Sequence, residues 1–233
     1  MYCKIYKKNN SIRGTPNPTK IMKFPSILAI SLLNFSIAQA ETFMGSTELS
    51  EKTYDSIIVL GTAKLTNIKT GSLTVTGTLL FNQLEVSDDV TVVGPIEEES
   101  TDLICKDLDV LGPVHAKRVQ CVDINIVGSA KLEELQATGE VKLVGGTDIE
   151  NATIKNLFLT AHEMKLKDVK VNDITIDKVP LSTQEQVLTL EGNTSVSGKI
   201  TFKSGKGSLL IKDNAQIGKL EGGTIKEKKD QTK

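Results

Sequence analysis

The sequence predicts an all-β chain: a single-stranded parallel β-helix, or β-solenoid, of about 17 residues per coil, right-handed and triangular in section. Three observations predict it. Short β-type runs closed by glycine recur at Gly61, Gly77, Gly94, Gly112, Gly128 and Gly145, spaced 16, 17, 18, 16 and 17 residues apart. Within each run the residues four and two before the glycine are aliphatic and the one between them is usually polar, as in Leu73-Thr74-Val75 and Val141-Lys142-Leu143. That is the period-2 pattern of a strand with one buried face. Two more sets of aliphatics lie upstream in each copy. One is paired: Leu84 and Val86, Leu103 and Cys105, Val119 and Cys121, Leu135 and Ala137, Ala152 and Ile154. The other is looser and contains Leu65, Phe81, Val114, Leu132 and Ile149.

The elements follow in chain order. Residues 1–21 are polar, basic and irregular, and they read as a mis-assigned upstream extension, because a good signal begins at Met22. Residues 22–40 read as a secretory signal peptide. Lys20 and Lys23 supply the basic end, Phe24 to Ala38 the apolar core, and Ala38-Gln39-Ala40 the small residues before the cut. That core is short for a membrane span, and no later segment reaches spanning length. Residues 41–53, which contain Phe43 and Met44, read as an N-terminal linker or cap. Residues 54–225 form the solenoid.

Three inward-facing strands in about 17 residues leave only two or three for each corner. Strands that short cannot make a hairpin meander with three separate apolar faces. A chain wound in triangular coils buries all three faces in one core and satisfies each backbone group by stacking at about 4.8 Å. Glycine suits a corner that needs positive φ. A seventh copy, Leu157 to Ala161, keeps the spacing and replaces Gly with Ala. An irregular segment is expected near 179–186, where Pro180 blocks a ladder bond. The pattern then resumes from Val187 to Ile225, for roughly ten coils and a rod on the order of 50 Å. Residues 226–233 (KEKKDQTK) read as a disordered charged tail.

The repeating aliphatic-x-aliphatic-x-Gly units, three short strands per coil and a charged tail resemble the bactofilins, the polymer-forming bacterial β-helix proteins. The resemblance covers residues 54–225. It implies a non-enzymatic scaffold that self-associates. Bactofilins are generally cytosolic and carry no signal peptide, so the export signal departs from their pattern. A secreted solenoid of the adhesin-passenger kind is similar too, notably over Gly198 to Ile217.

Composition narrows the function. With 39% hydrophobic residues the chain can build a core, and its net charge of -1 with 4% aromatics leaves no nucleic-acid footprint. Six of its 28 basic residues and none of its 29 acidic ones precede Glu41, so the exported part would carry -7. His115 and His162, the only imidazoles, have no Ser, Cys or carboxylate at a catalytic spacing and are expected on the surface. Five residues before the corner Gly come Asp89, Asp107, Asp123 and Glu140, minor candidates for a metal column. The preferred reading makes them corner residues that bond their own backbone. Cys105 and Cys121 both lie seven residues before their Gly, in one inward column, where Cα atoms about 4.8 Å apart allow a disulfide or two packed thiols.

The expectation is therefore an exported structural or surface scaffold that self-associates or displays a binding face, without cofactor or enzymatic activity. It would be periplasmic, attached to the outer membrane or secreted, with a cell-envelope or glycan component as a further partner. The alternatives are a carbohydrate-active β-helix enzyme and a calcium-stabilised adhesin-type module.

Overall fold

The structure, a computed structural model, describes residues 40–226, and these wind into an all-β parallel solenoid of about 11 turns. One coil shows the plan. Ala63–Thr76 stacks in parallel on Thr47–Leu60, with Thr47 opposite Ala63 and Leu73 opposite Ile57. Its buried residues come as three inward pairs: Ala63 with Leu65, Ile68 with Thr70, and Leu73 with Val75. Between pairs the chain turns a corner, so each coil has three short faces, and the repetition of these pairs makes one continuous core.

Two of the corners use positive φ, and they do so differently. At the Gly corner φ is +134° for Gly77, and a Cβ there would sit 2.1 Å from the Gly61 carbonyl oxygen of the coil before it. Only glycine fits, because the backbone of the preceding coil occupies the space of a side chain. The other corner is left-handed without glycine: Glu51, Asn67, Gln83, Asp102, Arg118, Glu134, Asn151 and Asp168 hold φ between 51° and 62°. Polar side chains point outward there, and the stacked coils on either side impose the conformation despite its cost.

Several expectations change in detail. Residues 41–53 are not a linker or cap: Ala40–Met44 already pairs with Ser56–Leu60, and Thr47–Leu60 is a full strand. Exposed Thr42 and Met44 flank partly buried Phe43, and exposed Glu48 and Ser50 flank partly buried Leu49, so the half-buried face extends upstream of the regular repeat. Val114 does not share a column with Leu132; it stacks on Ala130, and Leu132 stacks on Ala116. The longest strand-free segment among the described residues is 177–185, since Gln186 already begins a strand. That segment contains Pro180, and after it 186–191 and 195–202 stack on the two halves of Glu163–Ile176. At the other end of the expected span, Lys226 pairs with Leu210 and so belongs to the solenoid rather than to the tail. The expectations for residues 1–21 and 22–39, and for 227–233, lie outside the described residues.

Each end of the described solenoid has its own filler. Phe43 meets Tyr54 edge to face with ring centroids 6.3 Å apart, and the Lys52 ammonium lies 4.3 Å above the Tyr54 ring. At the far end Phe202 is buried beneath Gly207 and Gly223; a Cβ at Gly207 would overlap its ring. No helix among the described residues is long and apolar enough to cross a membrane.

Candidate interaction face

The third face of each coil is the strand that ends at the Gly corner. Its inward residues, four and two before the glycine, are buried throughout, as Val90 and Val92 or Ile124 and Ile126 illustrate. Three outward columns remain, five, three and one residues before the corner. In-register pairing runs these columns straight along the solenoid.

The first column holds the carboxylates singled out from sequence. Asp89, Asp107 and Asp123 stack directly, one per coil, and Glu140 follows across a small irregularity. They do not bond their own backbone as expected. Asp123 Oδ1 accepts a hydrogen bond from the Glu140 N–H of the next coil at 2.6 Å, and Asp173 Oδ1 accepts from Lys199 N–H at 2.8 Å. The reason is local: where the next coil bulges at this corner, its N–H lacks a ladder partner and the carboxylate below supplies one. Lysines handle part of the remaining charge. Lys106 Nζ is 3.4 Å from Asp107 and 4.0 Å from Asp89, and Lys142 Nζ is 2.6 Å from Glu140. The Asp107 carboxylate, followed by that of Asp89, raises the Lys106 pKa, and the hydrogen bond from Lys142 to Glu140 raises that of Lys142. No group of three or more His, Cys, Asp or Glu side chains among the described residues is arranged to hold a metal ion.

The column one residue before the corner is the feature the sequence reading missed. It runs Met44, Leu60, Thr76, Val93, Leu111, Val127, Val144 and Thr160, and its aliphatic members point outward. Met44 is 78% exposed, Leu111 57%, and Leu60, Val93, Val127 and Val144 each more than 40%. The signal was in the runs themselves, five of the six ending in Leu-Gly or Val-Gly and only Thr76-Gly77 departing, although strand alternation puts that position on the solvent side.

The remaining site residues fall elsewhere. Cys105 and Cys121 are both buried, joined by a disulfide with Cα atoms 4.9 Å apart, in the inward column shared with Val86, Ala137 and Ile154. His115 is half-exposed. His162, expected on the surface, is half-buried with its Nδ1 enclosed and without a partner among the described residues. It lines a recess of about 540 Å³ together with Val179 and Pro180, because the 177–185 segment folds back beside the corner that it interrupts.

Comparison with protein-family models, with curated proteins and with solved structures finds no match to this chain.

Proposed function

We propose that this chain is an exported, non-enzymatic scaffold of the bactofilin-like kind, a rod that joins copies of itself end to end. One observation carries the reading. Among the described residues the first coil pairs on one side only, Thr47–Tyr54 with the coil after it, and the last strands, Gln216–Glu221 and Gly223–Lys226, pair only with the coil before them. All ladders are parallel, so the free edge at the end of one copy has the polarity of the free edge at the start of another. Such a contact is head-to-tail and does not close. The exposed Ile225 offers an apolar contact at the open end. The lateral faces then stay free for a cell-envelope or glycan partner.

The chain from Glu41 onward, purified from a periplasmic expression host, should grow in apparent mass with concentration in light scattering and give filaments one rod wide in electron micrographs. Ile225→Lys should shorten or abolish them. A chain that stays monomeric at high concentration, or filaments indifferent to that substitution, would reject end-to-end assembly.

A further inference from the structure

The third face carries two ridges matched coil by coil. Val93, Leu111, Val127 and Val144 form the aliphatic one, and Asp89, Asp107, Asp123 and Glu140 stand on the same four strands at the opposite edge. Four residues of strand separate them, about 13 Å, and four coils span about 14 Å along the rod. Thr91, Asp109, Asn125 and Lys142 lie between. This patch has five carboxylates, counting Asp109, and its nearby cations are Lys106 and Lys142. Asp109 and Asp123 are held by amides, Asn125 Nδ2 at 3.2 Å and the Glu140 N–H, which leave their charge in place. The patch is thus negative on one edge and apolar on the other.

That asymmetry argues against a second copy on this face. An antiparallel pair would lay each ridge on its own image and set carboxylates against carboxylates. A parallel pair would press the aliphatic ridge onto the acidic one. Either arrangement desolvates charge without a counter-ion, which costs several kcal/mol per unpaired group. An anionic lipid surface meets the same repulsion.

We infer that this face is a docking site for an amphipathic helix of a partner protein, one carrying aliphatic side chains along one edge and Lys or Arg along the other. A helix is about 10 to 12 Å across with its side chains, close to the ridge separation, so a helix lying along the rod reaches both ridges. Its aliphatic edge covers residues whose exposure an isolated rod does not explain, and its cations complete Asp109 and Asp123. The inference goes beyond the end-to-end reading, because the face lies on the side of the rod and each contact can exist without the other.

The test uses the chain from Glu41 onward in the Ile225→Lys form, so that filament growth does not interfere, and a fluorescein-labelled 18-residue helical peptide with Leu along one edge and Lys along the other. Anisotropy titration should show saturable binding that weakens with salt. A peptide with Glu in place of Lys, and a scrambled peptide of unchanged composition, should each bind at least tenfold more weakly. Exchanging the ridge for threonine (V93T, L111T, V127T and V144T) should cost at least tenfold. The isosteric pair D109N and D123N, in which the new side-chain amide oxygen at position 123 still accepts the Glu140 N–H, should weaken binding several-fold and flatten the salt dependence. That pair carries the test if the threonine variant proves unfolded by circular dichroism. Binding unchanged in the ridge or amide variants, equal binding of the scrambled peptide, or lateral dimers that the threonine variant abolishes would each overturn the proposal.

Discussion

At the scale of single residues, this solenoid separates two reasons for a positive φ. Gly77 is fixed by sterics, since a Cβ would collide with the Gly61 carbonyl oxygen at 2.1 Å, and that atom belongs to a backbone stacked under its own ladder. Gly77→Ala should therefore destabilise by about 2 to 4 kcal/mol, read from denaturant midpoints. Gln83, at φ 59°, is different: its exposed side chain has room and only its backbone is disfavoured. Gln83→Gly should be between neutral and about 1 kcal/mol stabilising, whereas the β-branched Gln83→Val should lose about 1 to 2 kcal/mol. If both substitutions at residue 83 had the same sign, the left-handed backbone would not be what governs that corner. The glycine corner was legible in the sequence because a single residue type repeats at one spacing. The polar corner was not, since Glu, Asn, Gln, Asp and Arg share no signature beyond standing ten or eleven residues before the glycine.

Between neighbouring coils, covalent and ionic links join equivalent positions. The Cys105–Cys121 bond closes a 16-residue loop and ties two consecutive coils together inside the core. In the chain-entropy account such a loop stabilises by about 3 kcal/mol, so Cys105→Ala with Cys121→Ala, or reduction under denaturing conditions, should lower the unfolding free energy by about that amount. Intact mass with and without reductant checks the bond itself. On the surface, Arg118 grips Asp102 of the preceding coil with two hydrogen bonds, and that contact, above all, holds the carboxyl below its ordinary value of 3.8. A lowered acid pKa adds stability above 3.8 that is lost as pH falls through the folded value. Lys165 has the opposite sign: the Glu191 carboxylate holds it above 10.5, so its contribution is present below that pH and disappears as pH rises through the raised value. Melting temperature should therefore be flat between about pH 5 and 9 and fall outside that window, with Asp102→Asn softening only the acid side. These side chains are partly exposed, between 17% and 45%, so the effects should be small and should shrink in salt. An acid limb unchanged in Asp102→Asn would remove the pair from the account. Cysteine spacing placed both thiols in one inward column in advance and left open whether they are bonded, which the structure answers with a disulfide. The ion pairs depend on which coil a long side chain leans toward, which strand periodicity does not specify. The aliphatic ridge stood in the Leu-Gly and Val-Gly pairs but was passed over, because a reading for the core attends only to the inward positions.

For the whole rod, the decisive property is that each coil touches only its neighbours. The strands that set the three faces contact the coil before and the coil after, so stability accumulates along one dimension and the ends lack half their partners. The two ends are not equal. Toward the N-terminus Phe43 and Tyr54 pack against each other over a ladder that runs to Ile176 with only local bulges, as before Ser100 and Glu140. Toward the C-terminus the ladder is broken by the 177–185 segment and by the shorter strand-free stretches 192–194, 203–206 and 212–215, and Ile217 and Leu220 pack only partly against the core. Opening should therefore begin at the C-terminal coils and move inward, and the pair of coils joined by Cys105 and Cys121 should open last. Native-state hydrogen exchange measures this directly: amides of Gly207–Lys226 should exchange first, those of Ala40–Leu60 next, and those of Val90–Val144 only with global unfolding. Reducing the disulfide should narrow the difference between the middle and the ends without reversing the order. Uniform protection from Thr47 to Leu220 would mean that the coils open together, and the nearest-neighbour description of this rod would have to be given up.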